Sequence, residues 1–342
     1  MAYTTINDPT AFFQTILYTG NATDDRSISG VGFQPDWLWV KERSATSGHI
    51  IVDSIRGATK FIQSHNTTAE DTNADIIQAF ESDGFEIGTH GAINENTQTY
   101  VAWNWKAGTS FTNDASATSV GSVDSAGSVS TDAGFSIINV VKNNTTAHTV
   151  AHGLGAVPQM IIGKSRTGSS YRWIVYHKDI GNTHALYLNE NFVKTDSVTF
   201  WNDTTPTSSV FSLGTDNSWN GTSIFYCFAE KQGYSKFGSY TGNNDDNGTF
   251  VYTGFKPAFV MVKITAGQTD NWIMQDNKIN SFNGASSQRL RPNSSGAEFS
   301  SSNEIDLLSN GFKTHGADGE INGSGFSYIY MAFAENPFVN SK

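Results

Sequence analysis

The sequence is short of charge, cysteine and long apolar runs, and each shortage excludes a class of protein. Charged residues make up 15% of the 342 residues, below the roughly 25% usual in soluble domains. The net charge of -11 disfavours nucleic acid as a partner. The single cysteine, Cys227, excludes an intrachain disulfide. No apolar run approaches the roughly 20 residues of a spanning helix, so no membrane partner is expected.

Signatures of catalysis and of cofactor binding are also missing. Residues 153–158 begin like a dinucleotide fingerprint, but Pro158 stands where the third glycine has to lie. The sequence contains no nucleophile elbow and no zinc-protease motif. We therefore expect a protein that is not an enzyme and that holds neither a cofactor nor a metal centre. The N-terminus lacks a basic region followed by an apolar core, so we expect no secretory signal.

What the sequence has in abundance is Gly, Ser, Thr and Asn between short apolar runs. Runs such as 36–40 and 258–262 are typical of buried strands. Gly-Asn and Asp-Gly pairs predict tight turns. Apolar spacing over residues 69–80 predicts one short helix. The sequence therefore predicts an all-β protein made of antiparallel β-sandwiches, either jelly-roll or concanavalin-like.

One pattern occurs three times along the chain: a Gly, a large apolar residue, a Pro and, six places after the Pro, a Lys. The copies are centred on Pro35 with Lys41, Pro158 with Lys164, and Pro257 with Lys263. A spacing that recurs in this way is the mark of a duplicated structural unit. We therefore predict three tandem β-sandwich repeats.

The predicted boundaries follow from the same alignment. Residues 1–11 form an N-terminal lead, 12–108 the first repeat, 134–233 the second and 234–342 the third. Residues 109–133, almost wholly Ser, Ala, Gly, Thr and Val, are predicted to be a linker or a loose extra strand.

The equivalent lysines Lys41, Lys164 and Lys263 admit two interpretations. In the structural one, each ends a buried strand and sends its ammonium to solvent or to a later Asp. In the functional one, the three form a repeated anion or sugar contact. We favour the structural interpretation, because fold-defining positions survive duplication more readily than sites.

Three aromatic residues are candidate glycan contacts. Trp201, Trp219 and Tyr171 lie among Asn, Asp, Ser and Thr, as the rings of a sugar-stacking platform do. The alternative, that they are ordinary core aromatics, is the commoner outcome for any one of them.

One loop is a candidate calcium site. Asn243, Asp245 and Asp246 supply the oxygen atoms that calcium prefers, but the alternating ligand spacing of a calcium loop is absent. A hairpin turn without an ion is the favoured interpretation.

Several stretches resemble a family of repeat modules in virion proteins of marine tailed bacteriophages: residues 32–41, 53–58, 100–108, 233–243 and 332–342. The resemblance implies lectin-like sandwiches in a structural protein on the tail or capsid surface, made in the cytoplasm of a bacterial host. It carries over no binding residue.

The expected function is therefore that of a tail fibre or receptor-binding component that mediates host adsorption. A capsid decoration protein or head fibre is the alternative, and a tailspike-like polysaccharide depolymerase is the third possibility. Expected partners are other virion proteins and a host-surface glycan. We also expect a homotrimer, because weak contacts gain from multiplicity, and we assign the N-terminal lead to assembly or attachment.

Overall fold

The fold is all β, as the sequence predicts. The computed structural model describes residues 4–143, 145–168, 170–280, 283, 286–302 and 305–337. Regular structure in these residues is almost entirely antiparallel strand, with a few helices of about one turn. No helix in this part of the chain is long and apolar enough to cross a membrane.

The strands of the first repeat are β1 (Phe13–Thr19), β2 (Arg26–Ser29), β3 (Trp37–Glu42), β4 (Ile50–Asp53), β5 (Lys60–Phe61), β6 (Asp71–Thr72), β7 (Ile77–Glu81), β8 (Gly84–Ile87) and β9 (Thr99–Trp105). A 3-10 turn (Pro9–Ala11) precedes them, and the helix α1 (Gly91–Asn94) lies before β9.

The next strands are β10 (Thr109–Asn113), β11 (Ser125–Ser130), β12 (Phe135–Lys142), β13 (His148–Ala151), β14 (Met160–Ser165), β15 (Ile174–His177), β16 (His184–Tyr187), β17 (Thr195–Asp196), β18 (Val210–Leu213) and β19 (Gly221–Phe228). The helices α2 (Ala115–Thr118) and α3 (Val198–Trp201) and a 3-10 turn (Asn217–Trp219) lie between them.

The strands of the third repeat are β20 (Ser235–Thr241), β21 (Phe250–Tyr252), β22 (Phe255–Ala266), β23 (Trp272–Asp276), β24 (Ser287–Arg289), β25 (Phe299–Ser301), β26 (Ile305–Leu308), β27 (Gly311–Thr314) and β28 (Ser327–Pro337).

One strand order occurs in all three repeats, in what we call the inner sheets. It is β1-β9-β3-β4 in the first, β12-β19-β14-β15 within an eight-stranded sheet of the second, and β20-β28-β22-β23 in the third. The registers also correspond: Lys41 pairs with Val101, Lys164 with Ile224 and Lys263 with Ile329. Residues of the three inner sheets can therefore be matched by counting from these lysines.

A smaller outer sheet packs on one face of each inner sheet. The outer sheets are β2-β8-β7, β13-β18 and β21-β27-β26. Each pair of sheets encloses its own apolar cluster, with Phe85, Phe211 or Phe312 contributed by the outer sheet. Each repeat thus has the two-layer packing of a sandwich.

The inner sheets bury their other faces against one another in a shared core. Trp37 stacks on Tyr226 with ring centroids 4.5 Å apart, which joins the first and second repeats. Phe333 joins the third repeat to both, lying 5.2 Å from Phe13 and 5.9 Å from Phe228. Inner strands are therefore buried on both faces, which explains their continuous apolar runs. The repeats therefore share one core in addition to the cluster that each encloses, and their exact boundaries stay a prediction.

Residues 109–133 contain regular strands, so of the two predicted alternatives the structure favours an added strand over a linker. The strands β10 and β11 pair with each other and extend the second inner sheet beyond β12. Small residues permit this close packing, since a Cβ on Gly127 would lie 1.8 Å from the carbonyl oxygen of Ile137. At Gly127 the absence of a side chain therefore reflects tight packing, whereas residues 114–119 are mostly exposed.

The helix predicted over residues 69–80 is also wrong, because this segment contains β6 and β7. Ile76 and Ile77 are both buried, and Ile77 lies opposite Ile87 next to a β-bulge. Apolar residues clustered over so short a stretch fit a bulged strand as well as a helical turn.

The described part of the N-terminal lead belongs to the folded body. Ile6 is buried in the shared core, and Thr4 lies beside Gly233 of the second repeat. Asp8 caps the 3-10 turn that leads into β1. The assignment of the lead to assembly or attachment stays a prediction.

Candidate functional site

The contacts between repeats follow a cycle. His49, Trp173 and Trp272 occupy one equivalent position, and the ring N–H of each donates to a backbone carbonyl of another repeat. His49 donates to Arg291 (3.0 Å), Trp173 to Gln63 (2.9 Å) and Trp272 to Tyr187 (2.9 Å). The first repeat thus contacts the third, the third the second, and the second the first, as an internal threefold arrangement requires.

A second cycle lies deeper, at the equivalent positions of Asp53, His177 and Asp276. The bonds are Tyr226 to Asp53 (2.7 Å), Trp103 to Asp276 (3.0 Å) and His177 to the Tyr330 carbonyl (3.3 Å). Burial lowers the pKa of His177 to about 4, so its ring is neutral at pH 7. Each bond again joins two different repeats.

Asp53 is the centre of a buried polar network that joins the first two repeats. Its Oδ2 accepts bonds from Arg56 Nε at 2.5 Å and from Tyr226, and both charged side chains are fully buried. Glu70 lies 3.5 Å from Arg56 and 2.8 Å from Arg166 of the second repeat. Burial works against the Arg56 charge, but Asp53, Tyr226 and Glu70 together raise the pKa of Arg56. The network joins the first two repeats through groups that depend on one another's charge.

The three equivalent lysines are buried, so their side chains cannot contact an external anion or sugar. Lys164 Nζ donates to the carbonyls of Tyr171 (2.7 Å) and of Thr67 in the first repeat (3.1 Å). Lys263 does the same in the next pair of repeats, with the carbonyls of Asp270 and Asn191. These two lysines act as structural ties between repeats.

Burial also changes the acidity of these lysines. It lowers the pKa of Lys41 and of Lys164 to about 8 and that of Lys263 to about 7. Unlike Lys164 and Lys263, Lys41 donates to a carbonyl of its own repeat, that of Glu42. The expectation that the ammonium groups reach solvent or a later Asp is therefore wrong.

Trp201 and Trp219 are core residues, and their prediction as glycan contacts is wrong. They are 2% and 0% exposed. The backbone N–H of Trp219 donates to the carbonyl of the capping residue three places before it. The buried Ile93 and Ile321 make the same bond at the equivalent turns of the other two repeats. The sequence of the second repeat diverges here, which hid the correspondence. Tyr171 is partly exposed and lines a cleft.

The candidate calcium loop is held as a turn. Asn243 Oδ1 accepts bonds from the Asp245 amide (3.1 Å) and from the Asn322 side chain (3.0 Å). Asp245 Oδ1 accepts from the Asn247 amide, and the Asp246 carbonyl oxygen lies 2.8 Å from Nδ1 of His315. Among the described residues no group of three or more His, Cys, Asp or Glu could hold a metal ion. The geometry supports a turn without an ion, but the turn does not close a hairpin, because it connects β20 of the inner sheet to β21 of the outer sheet and these two strands do not pair.

Equivalent lateral clefts open in the first and second repeats, beside β4 and β15. The first-repeat cleft has a volume of about 360 Å³, and its lining includes Ile50, Gln63, Glu70 and His90. The second-repeat cleft has a volume of about 190 Å³ and is lined by Ser170, Tyr171, Arg172, Ile174, Tyr187, Phe200, Asp216 and Ser218. By register Ile50 matches Ile174 and Gln63 matches Tyr187, while His90 and Asp216 cap equivalent turns.

In the third repeat the same position is occupied by the chain's own side chains. Arg291, the equivalent of Gln63 and Tyr187, lies 4.2 Å from the Phe299 ring centroid and pairs with Glu320 at 2.6 Å. Asp318, the capping residue, is paired with Arg289. Ion pairs and an aromatic ring therefore take the place that is open in the other two repeats.

The second-repeat cleft combines aromatic rings with a positioned cation. The Arg172 guanidinium lies 5.0 Å from the Tyr187 ring and 5.7 Å from the Phe192 ring, and it pairs with Glu190 at 3.2 Å. Asp216 is held by the amide and hydroxyl of Ser218. Stacking on the rings orients Arg172, whose remaining N–H groups can donate to a ligand.

Sequence reasoning found Tyr171 but missed Arg172, Tyr187 and Asp216. They carry no motif, and the signal that marks them is disagreement between repeats. Arg172 stands where the first repeat has Gly48 and the third has Asn271. A position that holds different side chains in equivalent repeats is not required for the fold, so its side chain can serve another role.

Comparison with known proteins gives a family and no activity. No curated protein matches the chain. Residues 8–337 match the family described as a domain of unknown function, DUF7483. Because that match spans nearly the whole chain, the protein belongs to the DUF7483 family.

Proposed function

We propose that the protein is a non-enzymatic component of a phage virion surface that binds a host-surface glycan through the second-repeat cleft. The leading assignment is a tail fibre or receptor-binding component. The resemblance of the sequence to phage virion modules supports the virion surface. The observation that supports glycan binding is the cleft, where aromatic rings, an oriented guanidinium, a carboxylate and hydroxyls meet.

The chemistry of the cleft suits a sugar. A pyranose presents C–H groups on its faces and hydroxyls around its edge, so it needs apolar surface next to donors and acceptors. Tyr171 is partly exposed and supplies apolar surface, the buried Ile174, Phe200 and Tyr187 form the floor, and Arg172 supplies donors.

The test is the binding of the purified protein to a glycan array, followed by variants. Tyr171→Ala and Arg172→Ala should each weaken binding to the selected glycans at least tenfold while leaving the unfolding temperature unchanged. Lys178→Ala, which removes an exposed cation outside the cleft, is the matched control. Wild-type binding that survives both cleft substitutions would exclude this site.

A capsid decoration protein or head fibre is the second candidate. The observation that favours it is the compact body, in which three repeats share one core and the described residues include no long helical shaft. Immunogold labelling of intact particles separates the two, because label on the tail supports adsorption and label on the head supports decoration.

A tailspike-like depolymerase is the third candidate. Glycoside hydrolysis needs two carboxyl groups that flank the scissile bond. Asp216 and Glu190 are near the cleft, but the first is bonded to Ser218 and the second is paired with Arg172. Release of reducing sugars from host envelope polysaccharide would establish this activity and defeat the non-enzymatic proposal.

The homotrimer is likewise a proposal. Sedimentation as a monomer at micromolar concentration would contradict it.

A further inference from the structure

Two aromatic side chains stand exposed on the outer sheet of the third repeat. Phe250 and Tyr252, in the edge strand β21, are 46% and 54% exposed, whereas Val251 between them is buried. Alternate residues of a strand point to the same face, so the two rings project together, about 7 Å apart along the strand.

The other two repeats show that the fold does not need these rings. Val251 pairs with Phe312 as Ile28 pairs with Phe85 and Val150 with Phe211. Counting from these pairs, the positions of Phe250 and Tyr252 are filled by Ser27 and Ser29 in the first repeat and by Thr149 and Ala151 in the second. Large exposed rings have therefore been added to the third repeat at positions where the scaffold accepts small side chains.

The surroundings of the rings are flat and mixed in polarity. Gly311 lies opposite Tyr252, so no side chain accompanies that ring from the paired position. Lys313 lies opposite Phe250 and donates to Asn247, at 2.5 Å. Asp306, on the next strand, bonds His315 at 2.8 Å.

We propose that this face, defined by Phe250, Tyr252, Gly311, Lys313 and Asp306, binds an extended glycan chain. Each ring stacks on the C–H face of a different sugar unit, and Lys313 and Asp306 exchange hydrogen bonds with its hydroxyls. A protein partner would have to desolvate the two charges, whereas hydroxyls replace their bonds to water. The proposal shares its ligand class with the second-repeat cleft and does not depend on that cleft.

The test uses the full chain and three probes: cellohexaose, chitohexaose and maltohexaose. The double variant Phe250→Ser with Tyr252→Ser gives the third repeat the residues of the first. It should weaken binding of at least one hexamer tenfold or more in calorimetric titration, with the unfolding temperature unchanged. Tyr252→Trp should keep the binding. Val141→Ser, which alters another exposed apolar residue, and Lys178→Ala, outside both sites, should bind as the wild type does.

The opposite results overturn the proposal in distinguishable ways. Binding that is lost in Tyr171→Ala but kept in the double variant assigns the hexamer to the cleft and removes this face. Hexamers that do not bind the wild type, or that bind both proteins equally, also remove it. Self-association that disappears in the double variant without any hexamer binding would assign the face to a second copy of this chain.

Discussion

Residues that face the other repeats and residues that line the outer surface differ in how similar they have stayed among the three repeats. Inward, equivalent residues keep one role in all three repeats, as His49, Trp173 and Trp272 do. Outward, Gln63, Tyr187 and Arg291 make three different surfaces. Yet these last three also accept the inter-repeat bonds, through their backbone carbonyls. A contact made by the backbone survives any change of side chain, so the same residue holds the repeats together and varies the surface.

The largest expected effect comes from the apolar cluster that the second repeat encloses. Trp201→Ala should lower the free energy of unfolding by about 3–5 kcal/mol, because it leaves a large cavity beside Trp219. Tyr171→Ala, on the rim of the cleft, should change it by less than about 0.5 kcal/mol. Urea unfolding of both variants measures the contrast. Similar losses in the two would show that the cleft rim is part of the core.

Asp53→Asn should come next, at about 3 kcal/mol of destabilisation, because it leaves the buried Arg56 without its closest counter-charge. Asp179→Asn, in an exposed pair with Lys178, is the matched control and should cost less than about 1 kcal/mol. Chemical denaturation at pH 7 gives both values. Equal small losses would mean that the contact between the first two repeats does not depend on this charge.

The smallest effect is a pH dependence from Lys263. Its pKa in the folded chain is about 7, lowered by burial. Between about pH 7 and 9.5 the unfolded chain therefore holds a proton that the folded chain has lost, so this site adds stability as the pH rises. Relative to Lys263→Met, the wild type should gain on the order of 1–3 kcal/mol across that window.

Denaturation midpoints at three pH values test this prediction, with the exposed Lys178→Met as the control. If the wild type and Lys263→Met respond alike to pH, the Lys263 ammonium is not desolvated.

Sequence reasoning went furthest where the repeats agree. The spacing of Lys41, Lys164 and Lys263 identified equivalent strands, and the apolar runs identified the all-β class. It failed where the second repeat diverges, because Trp201 and Trp219 have no aromatic counterparts to mark them as core. The shared core could not be predicted from the sequence either. A continuous apolar run shows that both faces of a strand are buried, but it does not show which parts of the chain cover them.

The covalent joining of the three repeats has a consequence for how the protein can change. In a ring of three identical chains, one altered codon changes every site at once. Here each site has its own codons, so one cleft can fill with Arg291 while another acquires Arg172 and a third surface acquires Phe250. Such a chain gives up three identical sites, and each of its repeats can change without changing the other two.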